Sequence, residues 1–317
     1  MMDWTDRHCR AFHRTFTQRA LLYTEMLTAG AILHGDRSRL LAFSPAEHPL
    51  ALQLGGADPV ALAAAARIAA DLGFDEINLN VGCPSDRVQG GNFGACLMRE
   101  PALVADCMAA IGAAVDVPAT VKCRLGVDEQ DPQESLYGLV DRCADVGVTR
   151  FIVHARKAWL EGLSPKENRE IPPLDYGCVY SLKQARPELT IVINGGVASL
   201  DEAEAHLAHV DGVMLGRAAY HTPAMLGAAD RRLFDAGASE VSAFEAVTRY
   251  LPYARAELAA GTRLAAMTRH MLGLFHGARG ARTWRRTLTV DSIAPGAGVE
   301  VIERALDAVK DAALEPA

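Results

Sequence analysis

Thr190-Ile191-Val192-Ile193-Asn194-Gly195-Gly196, the amphipathic run Leu200 to Leu207, and Gly212-Val213-Met214-Leu215-Gly216-Arg217 read in order as strand, glycine turn, helix, strand and second glycine turn. The apolar runs are short, rich in β-branched residues and closed by a polar residue or glycine, which is strand patterning. Upstream the same unit recurs. Ala20 to Thr24, Pro49 to Leu54, Glu76 to Val81, Ala119 to Cys123 and Arg150 to His154 are further β-rich runs. Alanine-rich helical stretches separate several of them: Pro59 to Leu72, Pro101 to Val115 and Ser135 to Val146. This alternation predicts an α/β protein with a parallel sheet, here a (β/α)8 TIM barrel. Seven strands are legible, and a closed barrel needs eight. The missing one is the first, which would end near Met1-Met2, so most of it is expected to be absent from this chain.

Beyond about Phe234 the strand signal fades, and Ser242 to Ala260, Thr262 to Phe275 and Val299 to Ala313 show helical periodicity. Two domains are therefore expected: a barrel over residues 1–233 and an all-helical C-terminal domain over 234–317. One long irregular connection runs from Ala155 to Tyr176, and long loops in barrels are often functional.

Composition narrows the class. Half of the 317 residues are hydrophobic, yet no run approaches the 20 or so apolar residues of a membrane span. The polar start Met1-Met2-Asp3-Trp4-Thr5-Asp6 has no signal-peptide pattern. Seven cysteines, at 9, 83, 96, 107, 123, 143 and 178, form no CxxC pair, which argues against disulfides and against a zinc site. A cytoplasmic, metal-free protein is expected. The net charge of −7 argues against nucleic acid as a partner, but the charge is unevenly spread. Between Glu257 and Asp291 there is no acidic residue, while Arg263, Arg269, Arg279, Arg282, Arg285 and Arg286 occur there with His270, His276 and Trp284. A solvated helical face usually mixes signs. Trp284 has two readings, stacking on a base or packing in a core.

Barrel enzymes place their chemistry at the C-terminal ends of the strands. Here those ends carry Gln53, Asn80, Lys122, His154, Asn194 and Arg217. Each alone reads as a satisfied structural group, whereas six at one rim read as a site. The turns Asn194-Gly195-Gly196 and Gly216-Arg217 follow the last two strands, where this fold commonly binds phosphate. Glycine admits close approach of backbone N–H groups, and arginine adds a charged fork. A lysine at Lys122 would stabilise charge on a reduced flavin. Cys83 follows a strand and precedes Pro84, so its thiol stands on a rigid turn above the barrel, suited to proton donation. Cys107, Cys123 and Cys143 read as inert packing.

Asn80-Val81-Gly82-Cys83-Pro84-Ser85, continuing through Gly90-Gly91-Asn92-Phe93-Gly94-Ala95-Cys96-Leu97-Met98, resembles the signature of tRNA-dihydrouridine synthases. Met2 to Arg10, Val121 to Gly126, Val153 to Lys157 and Ile193 to Gly196 extend the likeness, and Ser164 to Leu174 is similar to the branch acting on uridines 20 and 20a of the tRNA D-loop. The resemblance implies an oxidoreductase that holds FMN and takes electrons from NADPH. It assigns cofactor contacts to Met2, Gln53, Lys122, His154, Asn194, Gly195, Gly196, Gly216 and Arg217, and the proton-donor role to Cys83, with Cys96 accessory. Asn80 would fix the base. Arg156, Lys157 and Lys166 at the rim and Arg279, Arg282, Arg285 and Arg286 in the helical domain would contact tRNA. The family's Ala-Pro pair before the methionines is not present in this sequence. Two rivals stand beside this reading: a free-pyrimidine or dihydroorotate-type flavin dehydrogenase, which needs no basic helical domain, and a catalytically silent tRNA-binding protein, which needs neither Lys122 nor Cys83. Oligomeric state leaves no mark on the sequence.

Overall fold

The computed structural model describes residues 1–85, 88 and 90–314. Seven parallel strands form one sheet in chain order: β1 (Leu22–Thr28), β2 (Leu50–Gly55), β3 (Glu76–Asn80), β4 (Ala119–Arg124), β5 (Arg150–His154), β6 (Thr190–Asn194) and β7 (Gly212–Met214). Sequential parallel strands joined by outer helices are the barrel topology expected from the sequence. The helices Pro59–Asp71, Pro101–Gly112, Pro132–Asp145, Tyr176–Ala185 and Leu200–Leu207 follow β2 to β6 in turn. Three of them begin with proline at the first turn, where a missing N–H costs nothing.

Period-two alternation decides which side chains face the barrel axis. Leu50, Leu52, Leu54, Ile77, Leu79, Val121, Cys123, Phe151, Val153, Ile191 and Ile193 join the core that the outer helices cover. The alternate positions therefore point inward: Gln53; Glu76, Asn78 and Asn80; Thr120, Lys122 and Arg124; His154; Asn194.

Among the described residues the sheet has seven strands, and its two edges face each other across the N-terminal segment. The Met1 sulfur lies beside Gly216 after β7, and the Asp3 N–H donates to the Glu25 carboxylate in β1. Residues two apart in the chain thus touch both edges, which requires the sheet to curl nearly to closure. The first strand runs further than the expected Ala20 to Thr24, because an irregularity between Tyr23 and Met26 lets pairing continue past Glu25. The last is shorter than expected, with one paired neighbour.

A second core gathers the C-terminal helices Ala243–Ala259, Leu264–Thr268, Ala281–Val290 and Glu300–Leu314. The helix Arg7–Arg14 belongs to it too, through Ala11 and Phe12, with Phe16 just beyond. The expected helix over Thr262 to Phe275 is helical only over Leu264–Thr268. Residues 269–277 run as turns, and Gly273 packs so closely on the His221 carbonyl that a Cβ there would lie 2.0 Å from it. No helix of the described residues is long and apolar enough to cross a membrane.

Candidate active site

Strand register brings the rim residues level. Asn80 pairs with Lys122, Arg124 with His154, and His154 with Asn194. The Lys122 ammonium donates to Asn194 Oδ1 at 3.1 Å, while Asn194 Nδ2 donates to the Met214 carbonyl at 2.7 Å. Asn80 Nδ2 donates to Gln53 Oε1 at 2.8 Å. Burial, reinforced by the Arg124 charge, lowers the Lys122 pKa to about 8. Burial also lowers His154 well below its usual range, and the Arg124, Lys122, Arg156 and Arg217 cations push the same way. The His154 ring is therefore neutral at neutral pH, with one nitrogen able to donate and the other to accept.

The first glycine turn is sterically obligatory. Gly195 and Gly196 have φ of +109° and +78°. A Cβ on Gly195 would sit 2.5 Å from His154 Cδ2, and one on Gly196 would sit 2.6 Å from both Leu174 Cδ1 and the Tyr176 hydroxyl oxygen. The Tyr176 hydroxyl donates to the Gly195 carbonyl at 2.8 Å, fixing the turn from below. Arg217 opens the helix Arg217–His221 after Gly216, and its guanidinium pairs with Glu170 at 2.9 Å. Arg156 donates through Nη1 to the Pro172 carbonyl, and its Nε is the one buried side-chain nitrogen or oxygen without a partner among the described residues. Cations converging on a glycine cradle, with an orphaned guanidinium N–H, suit a phosphate-bearing ligand. Met1, rather than the half-exposed Met2, approaches Gly216.

Asn80 Oδ1 accepts from both the Gly82 and Cys83 N–H groups, at 3.0 and 2.9 Å, and so shapes the turn that carries the thiol. Cys83 is half-buried, with its sulfur 3.5 Å from the Ser85 hydroxyl. Its carbonyl accepts from Ala95 N–H at 2.9 Å, folding the glycine-rich segment back onto it. Gly94, at φ +74°, allows this approach, since a Cβ there would lie 2.6 Å from the Cys83 carbonyl oxygen. The Cys96 thiol instead donates to the Phe93 carbonyl at 3.1 Å, and burial raises its pKa. Cys107, Cys123 and Cys143 are buried, with pKa values pushed up by desolvation to about 11, 12 and 12.

Sequence alone does not single out Arg124. It is 3 % exposed and donates to the carbonyls of Gly82, Lys157 and Asn168, each at 2.9 Å. One side chain thus ties the Cys83 turn to the Ala155 to Tyr176 loop. The only signal for it is an inward position at the end of a strand, one step beyond Lys122. Lys157 lies over the Trp159 ring at 5.9 Å, and Lys166 is exposed.

In the C-terminal helical region Arg279, Arg282, Arg285 and Arg286 are exposed. Arg282, Arg285 and Arg286 form no ion pair among the described residues, whereas Arg232, Arg249, Arg255 and Arg304 outside the acid-free window are paired. Trp284 packs in the core and donates to the Met271 carbonyl at 2.9 Å, which settles its role as structural. His270 is likewise buried, between Asp6 at 3.0 Å and the Tyr220 hydroxyl at 3.2 Å. Together with the Arg269 bond to the Asp3 carbonyl, this pair sets the C-terminal helices against the N-terminal segment. Among the described residues no group of three or more His, Cys, Asp or Glu could hold a metal ion.

Residues 1–310 match the profile of the Dihydrouridine synthase family. A tRNA-dihydrouridine(20/20a) synthase of Xanthomonas campestris pv. campestris is 57% identical over 313 residues, covering 99% of this chain and 93% of the relative. Proteins of the same name from Vibrio parahaemolyticus and Escherichia coli O6:H1 are 57% and 55% identical, over 96% and 98% of this chain and 94% of each relative. Among solved structures, a morphinone reductase superposes with a TM-score of 0.51 at 13% identity, over 76% of this chain and 83% of that one, a likeness of fold.

Proposed function

The chain belongs to the dihydrouridine synthase family of tRNA-modifying oxidoreductases, and from that premise we propose that it reduces the C5=C6 bond of uridines 20 and 20a in the tRNA D-loop, using FMN and NADPH. The observation that carries the reading is the joint geometry of one rim: a glycine cradle flanked by cations, a buried lysine, and a thiol on a rigid turn. FMN, reduced by NADPH, supplies a hydride to uracil C6 when bound.

The remaining work falls to the protein. Gly195, Gly196, Gly216 and Arg217 hold the phosphate, with Arg156 adding its unpaired Nε–H. Lys122 meets negative charge beside the ring, and neutral His154 bonds without adding a further cation. Gln53 contacts the cofactor, and Asn80 fixes the base. Charge that builds toward the uracil C4 carbonyl is relieved when C5 takes the Cys83 proton, and the thiolate regains one from solvent. The base must leave its stack to reach this mouth. The exposed arginines of the helical domain grip the phosphate backbone. The free-pyrimidine alternative leaves the exposed Arg282, Arg285 and Arg286, which form no ion pair among the described residues, unexplained.

Purified protein is expected to show flavin absorption, and Lys122→Ala to lose flavin or its reduction by NADPH. A colourless protein that takes up no added FMN contradicts the reading. Lys122 also sets a pH dependence. The charged lysine binds the anionic cofactor, and its pKa in the free protein is about 8. Below that value the proton is already present. Above it binding must take one up, so Kd for FMN rises by up to about tenfold per pH unit. Fluorescence titration from about pH 7 to about pH 9.5 is expected to show that rise, and Lys122→Arg to flatten it. A wild-type Kd that stays level across the range removes Lys122 from the cofactor site.

A further inference from the structure

The barrel interior between β2, β3 and β4 is filled by polar side chains, where this fold ordinarily packs branched apolar ones. Gln53, Glu76, Asn78, Asn80 and Thr120 are all buried. Unpaired, they would be severely destabilising, but every one is bonded. Asn80 Nδ2 donates to Gln53 Oε1 at 2.8 Å, and Gln53 Nε2 to Asn78 Oδ1 at 2.9 Å. Asn78 Nδ2 then donates to Thr120 Oγ1 at 2.8 Å, and the Thr120 hydroxyl to Glu76 Oε1 at 2.8 Å. The chain runs from the rim, where Asn80 shapes the Cys83 turn, to the opposite end of β3.

Its direction is set at the base. The Glu76 carboxylate pairs with Arg150 at 2.6 Å and also accepts the Tyr23 hydroxyl at 2.6 Å, whose proton is held by burial and by Glu76 itself. A carboxylate only accepts, so Thr120 must donate downward and offer its oxygen upward. That oxygen orients the Asn78 amide, which orients Gln53, which in turn orients Asn80. The Asn80 oxygen is thereby left facing the two backbone N–H groups of Gly82 and Cys83. A reversed chain would set the Asn80 amine against them, donor against donor.

We propose that Glu76, Thr120 and Asn78 are positioning residues for Cys83, acting through a hydrogen-bonded chain of fixed sense along the barrel axis. The catalytic consequence rests on the reading of Cys83 as proton donor, whereas the effect on the thiol does not. Loss of the Thr120 hydroxyl leaves Asn78 Nδ2 without an acceptor, frees the Asn78 and Gln53 amides to turn over, and so weakens the hold on Asn80 that shapes the Cys83 turn.

The test compares Thr120→Val with Thr120→Ser. Two quantities are read: dihydrouridine turnover on tRNA, and, without tRNA, the alkylation rate of Cys83 by iodoacetamide, with Cys96 as internal reference. Thr120→Val is expected to lower kcat about tenfold with KM for tRNA little changed, and to alter the Cys83 rate at least about threefold while Cys96 is unaffected. Thr120→Ser restores both, because it keeps the hydroxyl and loses only a methyl. If Thr120→Ser is as impaired as Thr120→Val, packing rather than the chain is responsible, and the proposal fails. It also fails if Thr120→Val reacts like wild type. Should Thr120→Val not fold, Glu76→Gln decides: it replaces the acceptor-only anchor by a group that also donates, so wild-type turnover and alkylation there overturn the proposal. If wild-type protein makes no dihydrouridine, the functional reading falls and the alkylation rates alone judge the chain.

Discussion

Replacing Cys83 by alanine leaves reduction of the bound flavin by NADPH intact and lowers dihydrouridine formation by about 10²–10⁴, the usual cost of losing a positioned acid. The asymmetry between the two half-reactions is the informative part. Cys83 lies on the turn after β3, held by Asn80, whereas the glycine cradle of Gly195 and Gly196 follows β6, three strands along the sheet. Its loss therefore spares cofactor binding and acts only where uracil C5 needs a proton. Cys96→Ala is expected to cost far less, because that thiol is already engaged with the Phe93 carbonyl and its pKa is raised by burial. Separate stopped-flow measurement of flavin reduction and of its reoxidation by tRNA distinguishes the two. A severe loss in Cys96→Ala beside a mild one in Cys83→Ala reverses the assignment.

Reversing Arg282, Arg285 and Arg286 to glutamate is expected to weaken tRNA binding and to flatten its salt dependence by about three in the log–log slope, about one for each phosphate no longer neutralised. All three are exposed on the helix Ala281–Val290. The opposite face of that helix is anchored by buried Ala281, Trp284 and Leu288, so the reversals leave its packing intact. NADPH oxidation in the absence of tRNA should be unchanged. Filter-binding titrations at several salt concentrations measure both the affinity and the slope. An unaltered affinity across that range returns this face to ordinary solvated surface.

The barrel was legible because its strands are short, apolar and regularly spaced, and parallel buried strands have little other way to be written. The rim was legible for a related reason: a polar residue closing an apolar run, as at Asn80, His154 and Asn194, marks the C-terminal end of its strand. Partnerships across the chain were not legible. The helix Arg7–Arg14 packs with helices more than 200 residues later, as the bond from the Tyr250 hydroxyl to the His8 carbonyl shows. Nothing local announces such a pairing. Trp284 and His270 lie within a basic window, and only tertiary packing shows that they face inward. Arg124 is hidden in the sequence because its three acceptors are backbone carbonyls, which carry no side-chain signature. Glu76, Asn78 and Thr120 alternate with apolar neighbours as any half-polar strand does, and only the register of β2, β3 and β4 turns them into one axial chain.

The most direct test of the account is incubation of the purified protein with NADPH and unmodified tRNA, followed by position-resolved nucleoside analysis. Dihydrouridine is expected at positions 20 and 20a, formed only when NADPH, flavin and tRNA are all present. NADPH consumption that reduces a free pyrimidine while leaving tRNA untouched would contradict it.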